Sequence, residues 1–232
     1  MPSESDVLNE QRAYYRARAP EYDEWFLRQG RYDRGPEWNR RWFAEVDQLR
    51  DELGVFRPAG SVLELAAGTG WWTEHLLQFA DRLTAVDASD ETLSLNRLRV
   101  GEDPRIEYIQ ADLFQWRPTR TYDVVFFSFW LSHVPPERFD SFWRRVHSAL
   151  RPNGRVFFID SARTEASTAA NHRLPEPGDP LSIRRLNDGR EFRVVKIFYD
   201  AEALQEKLAN LGWSAEVRRT PNFFLFGTAT RA

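Results

Sequence analysis

From about residue 61 the chain alternates short apolar, β-prone runs with segments of helical spacing. Strands are predicted at Ser61–Leu65, Arg82–Val86, Ile106–Gln110, Tyr122–Phe127 and Gly154–Asp160, and helices at Trp72–Phe79, Ser89–Arg99 and Pro136–Leu150 between them. This alternation implies βαβ units, a parallel sheet and right-handed crossovers. The end of the chain breaks the rhythm. A helix at Ala201–Leu211 leads to a strand at Ser214–Arg219, the short link Thr220-Pro221-Asn222, and a strand at Phe223–Thr230. So short a link joins only antiparallel neighbours, so one edge of the sheet should carry an antiparallel hairpin. The expectation is an α/β fold with a mostly parallel seven-stranded sheet and helices on both faces.

Two segments lie outside this core. Asp6 to about Tyr32 reads as helix interrupted near Pro20. Glu37–Leu53 reads as a second helix, with Trp38, Trp42, Phe43, Val46 and Leu49 at helical spacing and Gly54 and Pro58 ending it. Thr164–Pro180 is rich in Pro, Ala and Ser and reads as loop. Leu181–Leu186 and Arg190–Tyr199 read as strands joined by Asn187-Asp188-Gly189, a hairpin turn signal. Such an insert would sit over the carboxyl ends of the strands, where open α/β sheets bind ligands. It reads as a cap over a substrate, with a dimer surface as a second role. The organisation expected is one domain: a helical lid over 1–57, a core over 58–160, the cap hairpin over 161–199, and a terminal helix and hairpin over 200–232.

The chain has 232 residues, which suits one α/β domain. The absence of cysteine excludes disulfides, thiolate metal sites and cysteine nucleophiles. A net charge of -3 gives no field that would draw the chain to nucleic acid. No long apolar span and no signal-like start appear, so a soluble cytoplasmic protein without a membrane partner is expected. The 9 Trp and 17 Phe exceed what a core of this size needs, so some should line a pocket.

The chemistry concentrates at Val62-Leu63-Glu64-Leu65-Ala66-Ala67-Gly68-Thr69-Gly70, a strand that ends beside an acid and passes through a small-residue turn into a helix. A dinucleotide-binding turn needs open backbone for a pyrophosphate and a third Gly for helix packing. Here Thr73 stands at that third position, and Trp71 and Trp72 crowd the first helical turn. The run resembles motif I of the class I S-adenosylmethionine (SAM)-dependent methyltransferases, with Ala66 in place of the first glycine. SAM has no phosphate for the indoles or Glu64 to oppose. The terminal hairpin also belongs to that Rossmann-like fold. The resemblance covers roughly Ser61–Thr230.

The resemblance implies a cofactor site built from Glu64, Ala66, Gly68, Thr69, Gly70 and Trp72, from Asp87 and Ala88 for the ribose hydroxyls, from Asp112 and Leu113 for the adenine, and from Ser128 and Phe129 for the methionine end. A carboxylate at Asp87 accepts both ribose hydroxyls in one geometry; a helix cap is the plain alternative. Tyr14 and Tyr22 resemble the lid tyrosines of small-molecule methyltransferases. S-adenosylhomocysteine (SAH) would be the product.

Methyl transfer from a sulfonium is an in-line displacement in which alignment and water exclusion supply most of the catalysis. His133, just past the fourth strand, is the candidate base; a structural histidine is the alternative. Trp25, Trp130, Asp160 and Arg163 are candidate acceptor contacts. Arg163, Arg184, Arg185 and Arg193 read either as a site for an acidic substrate or as a solvated face. No metal is expected, because Asp160-Ser161 stands where the metal-dependent members carry an Asp-Asn pair and Ser128 stands where an acid would be wanted. Nucleic acid is disfavoured by Phe127-Ser128-Phe129-Trp130, which is not the Pro-Pro-aromatic box, and by the lack of a basic stripe. The reading is methyl transfer to a small-molecule acceptor, at a hydroxyl in preference to an amine, by a monomer or homodimer. A SAM-binding protein without transfer, an amine N-methyltransferase and a nicotinamide oxidoreductase are the alternatives.

Overall fold

The computed structural model describes residues 3–176 and 178–232. The apolar runs form strands β1 (Gly60–Leu65), β2 (Ala80–Asp87), β3 (Ile106–Gln110), β4 (Tyr122–Ser128) and β5 (Leu150–Ser161), and the later runs form β6 (Leu181–Arg185), β7 (Glu191–Val195), β8 (Trp213–Arg219) and β9 (Phe224–Arg231). Seven of them make one sheet in the order β3-β2-β1-β4-β5-β9-β8. β1 runs parallel to both β2 and β4, with Leu63 opposite Thr84 on one side and Val125 on the other. β9 enters antiparallel to β5 and to β8, as the short link at Thr220-Pro221-Asn222 requires. The winding direction reverses between β1 and β4, so a crevice opens there at the carboxyl ends of the strands.

The helices are α1 (Glu4–Arg18), α2 (Tyr22–Phe26), α3 (Pro36–Phe56), α4 (Thr73–Leu76), α5 (Asp90–Val100), α6 (Phe139–Ala149) and α7 (Ala201–Ala209). Their ends carry local signals. Ser3 and Asp6 form a reciprocal capping box at α1. Ser89 and Asp200 cap α5 and α7 by accepting backbone N–H bonds. β4 is buried on both faces: Val124 and Phe126 pack toward α3 and α4, Val125 and Phe127 toward α6 and α7.

Three elements differ from the periodicity. The interruption expected near Pro20 is present, with α1 ending at Arg18 and a 3-10 turn following, but the second helical piece, α2, stops at Phe26 short of Tyr32, and Arg28 takes a left-handed φ of 57°. The helix expected at Trp72–Phe79 shortens to α4. The helix expected at Pro136–Leu150 begins as a 3-10 turn, and α6 proper starts at Phe139. The inserted hairpin β6–β7 forms its own two-stranded sheet. It packs on α1 through Val194, Leu186 and Phe192 around Tyr14. It is also tied to the turn after β4, where the Ile197 amide donates to the Ser132 carbonyl at 2.9 Å.

Candidate active site

The turn after β1 is a succession of left-handed residues: Ala66 at φ 55°, Gly68 at 58° and Gly70 at 92°. Ala66 occupies this region at a cost of about 1 kcal/mol or more that glycine would avoid. Phe129, at the end of β4, is also left-handed at φ 53°. Strained backbone thus flanks both sides of the crevice. Gly70 is obligatory for a second reason. A Cβ there would sit 3.0 Å from Cγ of the buried Asn96. Asn96 Nδ2 donates to Thr73 Oγ1 at 2.8 Å, Thr73 Oγ1 donates to Glu64 Oε2 at 2.7 Å, and the Tyr108 hydroxyl donates to Asn96 Oδ1 at 3.0 Å. Burial pushes the Glu64 carboxyl up to about 8, against the smaller lowering effect of the Thr73 bond. Glu64 is therefore a neutral prop under the loop at pH 7.

Above the loop is a cavity of about 280 Å³. Ala66, Gly68, Asp87, Ala88, Asp112, Leu113, Ser128, Phe129 and Tyr22 line it, and α1 roofs it with Gln11, Arg12, Tyr15 and Arg16. Asp87 is prepared for two hydroxyls. Its Oδ2 accepts the Gly68 amide and its Oδ1 the Ser89 amide, each at 3.0 Å, leaving further lone pairs on both oxygens. Burial raises its carboxyl, and these backbone bonds oppose the rise. Asp112 Oδ2 accepts from Arg12 Nη1 at 2.7 Å and from Gln115 Nε2 at 3.1 Å. A ligand amine reaching Asp112 would share that oxygen with the Arg12 guanidinium. These groups fit an adenosine with a cationic amino acid tail.

A second, smaller cavity of about 60 Å³ lies between α1, α2, the loop after β5 and the hairpin. Its charge is one-sided. Arg18, Arg184 and Lys196 reach it, with His172 among its walls. Arg18 is buried, with Nε unpartnered and its guanidinium 4.7 Å from the centre of the Tyr22 ring. Among the described residues the one ion pair at this chamber is Lys196–Asp160, at 3.4 Å. Lys196 Nζ also donates to Ser132 Oγ at 2.8 Å, while Asp160 accepts the Ser132 and Ser161 amides at 2.8 and 2.7 Å. Burial lowers Lys196 to about 8, and the Asp160 charge opposes that.

Tyr15, Tyr22, Phe129 and His133 line both cavities and so stand at the boundary between them. His133 Nδ1 lies 2.5 Å from the Val195 carbonyl, which only an N–H can satisfy, so the proton is assigned to Nδ1. Nε2 then accepts the Tyr15 hydroxyl at 2.6 Å. Burial holds His133 well below its usual range, reinforced by the Lys196 charge. A neutral imidazole with both nitrogens engaged ties the lid to the hairpin.

Several residues picked from the sequence lie elsewhere. Glu64 points beneath the loop, and Thr69 and Gly70 shape it without facing the larger cavity. Trp72 is turned inward against Phe126 and Phe26, because helical spacing sets it on one face with Leu76. Tyr14 and Trp25 line the smaller cavity, and Trp130 the larger one. Asp160 acts on the smaller cavity through Lys196, and Arg163 binds the Pro175 carbonyl. Of the arginines noted in the insert, Arg184 reaches the cavity, whereas Arg185 and Arg193 pair with Glu191 and Glu10 outside it. Sequence reasoning missed Arg12, Arg18, Asn96 and Lys196. Lys196 carried a signal: only one other lysine occurs in the chain, and this one ends the apolar run Val194-Val195.

The family description "Methyltransferase domain" matches residues 62–154. DhpI, solved as a SAM–HEP complex, superposes with a TM-score of 0.80 and 40% identity over 99% of this chain and 100% of that one; its SAH complex gives 0.79 and 39%. "N-terminal Xaa-Pro-Lys N-methyltransferase 1" of Danio rerio is 32% identical over 133 residues, 55% of this chain and 56% of that protein. "Malonyl-[acyl-carrier protein] O-methyltransferase" of Halalkalibacterium halodurans is 31% identical over 107 residues, 42% of this chain and 38% of that one. The chain thus spans about half the length or less of these curated relatives. With a cavity lined by Gly68, Asp87 and Asp112 above its glycine turn and a near full-length match to DhpI, the chain belongs to the class I SAM-dependent methyltransferases.

Proposed function

We propose that this protein transfers the methyl group of SAM to an oxygen of a small anionic acceptor held in the smaller cavity. The buried, unpaired Arg18 guanidinium carries this reading. Among the described residues the guanidinium has no carboxylate partner; the Tyr32 hydroxyl at 3.4 Å and the Tyr14, Tyr22 and Tyr32 rings offset part of its desolvation, and an anionic ligand would supply the missing countercharge. Arg184 and Lys196 add to the same field, which repels an ammonium and disfavours an amine acceptor. The planar fork of arginine suits carboxylate, phosphate and phosphonate oxygens. A cavity of about 60 Å³ suits an acceptor of a few heavy atoms.

Bound SAM supplies a methyl on a sulfonium, already activated for displacement. The protein's own work is alignment. Asp87 fixes the ribose, α1 and α2 exclude water, and Arg18, Arg184 and Lys196 turn one acceptor oxygen toward the boundary at Tyr15, Tyr22, Phe129 and His133. An oxygen that is already anionic has no proton to lose. That matches a His133 whose Nε2 is occupied and whose imidazolium form is disfavoured. His133 then positions Tyr15 at that boundary.

The test is a methyl-transfer screen with SAM, followed by mass spectrometry. Small carboxylates, phosphates, phosphonates and HEP, the compound that DhpI holds together with SAM, are compared with neutral alcohols and amines. Methylation confined to anionic acceptors, with competition by inorganic phosphate, is the outcome expected. Turnover of amines alone would overturn the reading.

A further inference from the structure

We propose that Asp23 is a positioning residue that latches the lid onto the glycine loop. It thereby sets how long the cofactor or its product stays bound and where Tyr22 stands at the boundary between the cavities. Asp23 belongs to α2, one residue after Tyr22. Its Oδ1 accepts the Thr69 hydroxyl at 2.6 Å and the Trp71 indole N–H at 2.9 Å. Its Oδ2 pairs with the Arg99 guanidinium of α5. Arg99 Nε donates in turn to the Thr69 carbonyl at 2.8 Å, and its guanidinium lies 4.0 Å from the centre of the Trp71 ring. Phe26, also on α2, stacks on the other side of the cluster, 4.5 Å from the Trp71 ring centre.

One lid carboxylate therefore gathers donors from two turn residues and from α5. Charge-assisted bonds of this kind are the strong ones, and here they converge on a half-buried oxygen pair. The other ion pairs between residues 1–57 and the sheet domain among the described residues, Arg12–Asp112, Arg16–Glu91, Arg138–Glu4 and Arg218–Glu52, have more exposed guanidiniums and hold less. Neither Asp23 nor Arg99 lines either cavity. Their effect reaches the reaction through α1 and α2. Those helices supply the roof of the cofactor cavity, Tyr22 at the boundary, and Arg18, whose guanidinium faces the Tyr22 ring. A ligand under that roof leaves when the latch opens.

The inference needs SAM and SAH to bind, whatever the acceptor. It is tested by stopped-flow release of SAH, followed through tryptophan fluorescence with Trp71 as a built-in reporter, and by calorimetric affinity for SAM. Asp23→Ala should release SAH at least about ten-fold faster, equivalent to about 1.4 kcal/mol. Asp23→Asn keeps an acceptor for Thr69 and Trp71 and should fall between the two. Arg99→Gln should also speed release, and the double variant Asp23→Asn/Arg99→Gln should add little to Asp23→Asn. Should Asp23→Ala fail to fold, Asp23→Asn and Arg99→Gln carry the test alone. Native release rates in folded variants of both residues would overturn the latch, as would full additivity of the pair.

Discussion

Replacing Glu64 by Gln separates a prop from a ligand. Glu64 is buried under the glycine loop, bonded to Thr73, and its carboxyl is pushed up to about 8 by burial. Between its ordinary value of 4.5 and about 8, the folded protein holds a proton that the unfolded chain has released. The folded state binds more protons, so stability falls as pH rises across that window and levels off above it. The stabilising share is fully present below about 4.5 and lost through about 8. Eight minus 4.5 is about 3.5 pH units, or about 5 kcal/mol at 1.36 kcal/mol per unit. About 2 kcal/mol of this is lost by pH 6 and nearly all by pH 9, so about 3 kcal/mol goes between them. Gln keeps an acceptor for Thr73 and has no proton to lose. Urea unfolding of the unliganded native protein and of Glu64→Gln at pH 6 and pH 9 isolates the effect. The advantage of the variant should grow by about 3 kcal/mol between the two. At pH 7 the variant should bind SAM within about three-fold of native, because the side chain faces away from the cavity. A stability difference independent of pH, or a large loss of SAM affinity, would refute the account.

Asp87→Ala removes two charge-assisted acceptors at about 1.5–3 kcal/mol each, so calorimetry should show SAM affinity falling at least about a hundred-fold. Arg18→Met should raise KM for an anionic acceptor about ten-fold or more while SAM affinity holds. The variant also removes the Tyr32 bond and the tyrosine-ring contacts of the guanidinium, so KM for the anionic acceptor, and not the melting temperature, is the readout, and an unchanged KM would contradict the assignment. Lys196 sits near 8, so kcat/KM for the acceptor should fall as pH rises through about 8, and Lys196→Met should lose that limb of the profile. His133→Ala frees Tyr15 and the Val195 carbonyl, two bonds of about 1 kcal/mol each, and should lower turnover by roughly ten- to thirty-fold with SAM affinity little changed.

Local order was legible in the sequence. Strand and helix periods gave the βαβ units, and the short link at Thr220-Pro221-Asn222 forced an antiparallel edge, because chain geometry permits nothing else. The form of the glycine turn and the place of Asp87 at the end of β2 were legible because they depend on backbone freedom and on a strand end, both local properties. What sequence could not supply was direction. Whether Glu64 or Trp72 faces a ligand or the core depends on which neighbour fills the space, and Asn96, Thr73 and Phe126 fill it. Arg18 and Lys196 lie far apart along the chain, and neither points to the other in the sequence. Only the packing of β7 on α1 and of the hairpin's end on the turn after β4 brings them into one chamber with a single buried carboxylate. Charge becomes chemically meaningful when water is excluded around it, and that exclusion is a property of the tertiary structure.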